Sequence, residues 1–166
     1  MAGSVATAFP TSFKGELPQA LHNFTTTTGN VFKCALIAAA LAGNVAYGAL
    51  TTNYGSGSGT PTQANLGTDE VANGSGYTTG GFAWTAAQNL TPQTDAGSGY
   101  AYWQWSVNPS WTSASFSTVG CEIYNTNASN KCVYVGSFGG TQTVTAGTLT
   151  LVQPTNAYNT ALLQLR

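Results

Sequence analysis

Charge is what this sequence has least of. Four Lys and Arg and five Asp and Glu occur in 166 residues, so charged side chains make up 5%, against about 25% in a typical soluble domain. The cations Lys14, Lys33, Lys131 and Arg166 are scattered. No basic stripe exists to neutralise phosphates, which argues against nucleic-acid binding, and acidic substrates would meet no cationic funnel. Histidine occurs once, at His22, and there is no Cys-x-x-Cys pair, so the usual zinc ligand sets are missing. Cysteine occurs three times, at Cys34, Cys121 and Cys132. An odd number cannot form a complete intrachain disulfide framework. Cys121 and Cys132 are spaced to flank a hairpin and could pair, but the simpler reading is three small buried apolar groups.

Long apolar runs are also missing. The longest, Cys34 to Ala42, is CALIAAALA, well short of the roughly 20 residues that span a bilayer. It starts too far from Met1 to resemble a leader peptide. It is expected to be a buried strand running into a loop, in a chain made in a cytoplasm, with no membrane partner.

Catalytic signatures are missing as well. Gly55-Ser56-Gly57-Ser58-Gly59 lacks the strand-turn-helix context of a nucleophile elbow. Gly74-x-Gly76 is not followed by a helix, and no P-loop lysine accompanies it. Asp69 and Glu70 are adjacent, so on a strand they would point to opposite faces, and they read as solvated turn acids. Glu16, Asp95 and Glu122 lie far apart; a glycosidase would need two carboxylates brought together across a cleft. The expectation is a protein that is not an enzyme and holds no cofactor or metal.

Hydrophobic residues make up 42%, the globular norm, and Thr, Ser, Asn, Gln and Gly fill the polar positions. Such a surface hydrates well but repels its neighbours weakly, which suits a protein whose working state is an assembly. Residues 1-11 read as an N-terminal arm and 12-166 as one domain with a long Gly/Ser-rich loop at 43-67. Ser12 to Phe24 reads as a short helix capped by Ser12, with Phe13, Leu17, Ala20, Leu21 and Phe24 on one stripe and an interruption at Pro18. Strands are expected at Val31–Ile37, Phe82–Ala87, Tyr100–Val107, Ser115–Tyr124, Lys131–Phe138, Gln142–Val152 and Ala161–Leu165. Turns are expected at Asn127–Asn130 and Gly139-Gly140, and a bulge or bend at Ala146-Gly147. Short strands at such spacing predict an all-β fold: an antiparallel β-sandwich, jelly-roll or immunoglobulin-like, with one short N-terminal helix.

Aromatic residues are concentrated at Tyr100, Tyr102, Trp103, Trp105 and Trp111. Aromatics at strand spacing either fill a sandwich core or anchor an interface, where they stack on sugars or on a partner protein. Alternation sends Tyr102 one way and Trp103 and Trp105 the other, so these five are the candidate interface, with one face of their strand assigned to the core.

Several segments together resemble a known family. They are Ser12-Phe13-Lys14-x-Glu16-Leu17, His22-Asn23-Phe24 and Val31-Phe32-Lys33-x-Ala35-Leu36. Further along are Glu70-Val71-x-x-Gly74-x-Gly76-Tyr77-x-x-Gly80-Gly81, Gly120-Cys121-x-Ile123-Tyr124-Asn125, Asn130-Lys131 and Phe138-Gly139. The pattern, from about residue 12 to the C-terminus, resembles a group of small tailed-bacteriophage structural proteins, some of which look like capsid cement or decoration proteins. The resemblance implies a virion component on the head surface, assembled in the host cytoplasm. Its partner would be the major capsid protein; self-association as a dimer or trimer is expected separately, since symmetric contacts are the common solution. It implies no catalytic residue. The chain departs from the pattern at Ala38–Gly67 and in the heavier aromatic segment Tyr100–Trp111. A tail, collar or fibre component contacting host-surface glycans is the alternative, motivated by that aromatic segment.

Overall fold

The computed structural model describes residues 3–42, 45–56 and 65–165. Among the described residues nine strands form three sheets: β1 (Ser4–Val5) with β3 (Ala46–Tyr47), then β4 (Phe82–Ala83), β2 (Phe32–Ala38), β7 (Ser110–Asn125) and β8 (Lys131–Thr150) in that order, then β5 (Gln93–Asp95), β6 (Tyr100–Trp103) and β9 (Leu163–Leu165). All pairings are antiparallel except β1 with β3. The fold is therefore all-β and sandwich-like, with one α-helix among the described residues, α1 (Thr11–Glu16).

The four-stranded sheet is covered on both faces. One face carries Phe32, Cys34, Leu36, Cys121, Ile123 and Val133, which pack with Trp103 and Leu163 of the three-stranded sheet. The other carries Ala35, Ile37, Tyr124, Cys132 and Val135, which pack under Val45, Tyr47, Tyr54 and Leu66. Strands buried on both faces read as continuous apolar runs rather than alternating ones. That is the physical reason for the run beginning at Cys34, which is buried strand as expected.

The helix is shorter than its apolar stripe implied. Pro10, at φ −54° and ψ 143°, sets its entry, and no side chain caps it. Ser12 lies inside the first turn with its hydroxyl toward the Thr51 carbonyl. A 3-10 turn over Leu17–Gln19 takes up Pro18, and Ala20 then turns left-handed at φ 54°. The stripe breaks there, so Phe13 and Phe24 are buried while Leu21 is exposed.

The N-terminal arm is bound along much of its length. Ser4 and Val5 pair with Ala46 and Tyr47, and Ala8 exchanges two backbone hydrogen bonds with Val135 on the edge of β8. Of the loop at 43-67, residues 43, 44 and 57 to 64 lie outside the described residues. The part between them, 45–56, contributes β3 and the buried Tyr54.

Two expected strands, Lys131–Phe138 and Gln142–Val152, are one. Gly139-Gly140 is a bulge within β8, where the register against β7 slips between Gly120↔Ser137 and Thr118↔Gln142. β7 runs alongside without a break, so it carries β8 straight through the two glycines. The bend expected at Ala146-Gly147 is present: Ala146 has φ 48°, opposite a shift in β7 where Ser113 has φ 52°. The β7–β8 hairpin closes through Ser129 and Asn130, both left-handed, at the turn the sequence marks. Gly81 is required by both conformation and space: its φ is 78°, and a Cβ there would lie 1.9 Å from the Cys34 carbonyl oxygen.

Candidate interaction surface and buried polar clusters

The aromatic candidates divide sharply. Trp103, Trp105 and Trp111 are buried in the core between the two larger sheets. Trp105 stacks on Trp84 at 4.4 Å between ring centroids and meets Phe32 edge-on. Trp111 packs against Tyr77 and Phe82. These three tryptophans are interior packing, the core alternative for the candidate-interface aromatics, and present no ring to a partner. Only Tyr100 and Tyr102 remain half-exposed on β6, with Tyr100 beside the exposed ring of Tyr158.

The acids also depart from expectation. Of the five in the chain, Glu16, Asp69, Glu70 and Glu122 are buried. Asp69 and Glu70 are not solvated turn acids. Asp69 accepts from the Ala42 backbone N–H at 2.6 Å and from the Tyr47 hydroxyl at 3.0 Å. Glu70 accepts from the hydroxyls of Tyr54 and Tyr77 and from the Gly80 backbone N–H. The Tyr124 hydroxyl donates to the Gly80 carbonyl at 2.9 Å, and its ring stacks on Tyr54 at 4.3 Å. Burial first, and the neighbouring carboxylates next, raise the pKa of Tyr47 and Tyr54. These phenols stay protonated and serve as donors. The cluster pins the 45–56 and 69–81 segments onto the central sheet.

Glu122 is different. It projects from the middle of β7 and is fully buried, and among the described residues neither carboxyl oxygen has a hydrogen-bond partner. Desolvation raises its pKa well above the ordinary value. The Cys132 thiol and the Gly55 backbone oppose that shift, yet neither reaches hydrogen-bonding geometry.

His22 packs at the end of α1, as its position suggested, with both ring nitrogens engaged. Asn125 Nδ2, 3.0 Å from Nδ1, can only donate. Nε2 therefore carries the proton and donates to Glu16 at 2.8 Å. Lys131 reaches the other Glu16 oxygen at 2.6 Å. Burial lowers the His22 pKa despite Glu16. With no free nitrogen facing a hydroxyl or thiol, this geometry is a structural tie between α1 and the β7–β8 hairpin.

All three cysteines are free and buried. Cys121 lies opposite Gly136 and Cys132 opposite Tyr124, so the hairpin pair is out of register for a bridge. Cys34 and Cys121 sit together instead: the neighbouring Cys121 thiol and then burial raise the Cys34 pKa. Both line a mostly apolar cavity of about 290 Å³ with Trp84, Ile123, Phe138 and Leu162. Among the described residues, no group of three or more His, Cys, Asp or Glu could hold a metal ion, and no helix is long and apolar enough to cross a membrane.

What the molecule offers outward is the far half of the β7–β8 ribbon. Thr141, Thr143, Thr145, Thr148 and Thr150 are all exposed on β8, while Val144 and Leu149 between them are half-buried against the core. The bulge at Ala146 keeps the threonines in phase, because one extra residue there restores the alternation. Thr143 bonds Ser117 at 2.7 Å and Thr150 bonds Ser110 at 3.0 Å across to β7. The outcome is a two-column face of hydroxyls without a charge. Sequence reading missed it because it divided β8 in two. The Thr-x-Thr-x-Thr spacing from Thr141 was the available signal.

No family model, curated protein or solved structure matches this chain.

Proposed function

We propose that this chain is a structural component of a tailed-bacteriophage virion: a head decoration, or cement, protein that binds the major capsid protein and stabilises the shell. The observation that carries the reading is the exposed, uncharged hydroxyl ribbon of β7 and β8, on a molecule whose acids are mostly buried. A cement protein acts by burying area across joints between capsid subunits. A specific interface of standard size buries about 1,600 Å², and regular repetition over a shell multiplies modest contacts through avidity. A neutral hydroxylated sheet face suits that task, since it loses little on desolvation where the partner returns its hydrogen bonds. The resemblance of the Glu70-Val71 to Gly80-Gly81 stretch to phage structural proteins supports the same reading. Those residues close the buried Glu70 cluster, so the most specific part of the motif serves folding.

The experiment is copy number per particle, by quantitative mass spectrometry of purified virions. Copies that scale with the major capsid protein support head decoration. A handful at one vertex would replace it with a tail, collar or fibre role. Absence from virions would remove both.

A further inference from the structure

β8 ends the four-stranded sheet, and among the described residues its outer edge is covered only at one end. Ala8 bonds Val135, and the Thr7 hydroxyl accepts from the Ser137 N–H at 3.0 Å. From Gly139 to Thr150 no described strand pairs with that edge. Proteins protect long free edges with lysine or other charges, proline, a covering element or bulges. Here only bulges are present. After Lys131 no charged residue occurs until Arg166, and no proline lies between Pro109 and Pro154. The bulges at Phe138–Thr141 and at Ala146 leave two straight runs, Gln142–Thr145 and Gly147–Thr150.

The unused donors can be located. The Leu151 N–H bonds the Pro109 carbonyl on the β7 side, and Trp111↔Leu149 and Ser110↔Thr150 continue that register. Backbone groups alternate sides along an antiparallel strand, so the N–H groups of Thr150 and Thr148 face outward.

We infer that this edge is a strand-addition site for a second copy of the same chain, giving an antiparallel β8–β8 pairing about a two-fold axis and a continuous eight-stranded sheet. An antiparallel edge pairs with itself by symmetry. Nothing along it repels a copy, since threonine hydroxyls meet on one side of the new sheet. On the other side Val144 and Leu149, left half-buried in the single chain, come beside their symmetry mates. Another protein's strand would need a chemistry that nothing along this neutral edge selects. The copy supplies the same uncharged, hydroxylated edge in return.

Light scattering and sedimentation of the purified full-length chain over a wide concentration range test this. The expected result is a species of twice the 17.0 kDa chain mass, with slow amide exchange at Thr148 and Thr150 that becomes fast on dilution to monomer. Thr148→Lys and, separately, Thr148→Pro, which removes an outward N–H and no intrachain bond, should yield monomer with unchanged circular dichroism. Thr112→Lys, on the exposed face of the inner strand β7, should leave the dimer intact. A chain that is monomeric throughout, or a dimer that survives both Thr148 variants, would overturn the proposal. So would a dimer that Thr112→Lys breaks, since that would mean stacking of hydroxyl faces. The measurement uses the isolated chain, so its failure is separate from failure of the virion reading.

Discussion

At the residue scale, the most consequential side chain is Glu122. Burying a charged carboxylate costs several kcal/mol where nothing compensates it, so burial here disfavours the ionised form. Its pKa is raised in the folded chain above the ordinary 4.5. The folded state therefore keeps the proton to higher pH than the unfolded state does. Stability from this group is greatest below about pH 4.5 and declines as pH rises toward the folded value. Glu122→Gln keeps the shape and removes the titration. Its melting temperature should rise relative to the parent as pH increases from 4.5 to neutrality, measured by a thermal series across pH; parallel curves would refute this. The cysteines allow a second prediction. A thiol reacts as thiolate, and Cys34 and Cys132 are buried with raised pKa values. A thiol reagent should label neither in the folded protein at neutral pH, and all three cysteines only after denaturation, read by mass spectrometry.

At the element scale, the aromatic segment settles what each ring does. Trp105 is stacked on Trp84 inside the core, and truncating a buried Trp costs about 3–5 kcal/mol. Trp105→Ala should lower the unfolding free energy by that amount, whereas Tyr158→Ala, at an exposed ring, should change it by less than about 0.5 kcal/mol. Denaturant titration distinguishes the two. The turn at Gly80-Gly81 is constrained too. Gly81→Ala would force a left-handed alanine against the Cys34 carbonyl and should destabilise by more than about 1 kcal/mol, checked by the same titration. Strand composition was legible in the chain because β-branched and aromatic residues cluster between turn formers. The continuity of β8 through Gly139-Gly140 was not, because only pairing with β7 carries a strand across two glycines.

At the scale of the whole molecule, the scarcity of charge is compounded by its placement. With Glu16, Asp69, Glu70 and Glu122 buried, Asp95 is the one acid left partly at the surface. Exposed charges are those that salt screens. Self-association through the neutral ribbon should therefore be insensitive to added sodium chloride, and sedimentation at low and high ionic strength checks it. A strong loss of dimer with salt would point to an electrostatic interface instead.

The sequence by itself determined the all-β class, the short N-terminal helix, the hairpin turn at Ser129-Asn130 and the bulge at Ala146-Gly147. Each is written in local spacing or in backbone preferences that neighbours along the chain already decide. Only the tertiary structure decided that Trp103, Trp105 and Trp111 are core, and that residues 4 to 8 lie along the body rather than free. It alone placed Asp69 and Glu70 beneath a layer of tyrosines and left the edge of β8 open. Those outcomes depend on which surfaces meet across three layers. Burial of a polar group is decided by partners distant in sequence, such as Tyr54 and Tyr77 for Glu70, and spacing along the chain carries no record of them.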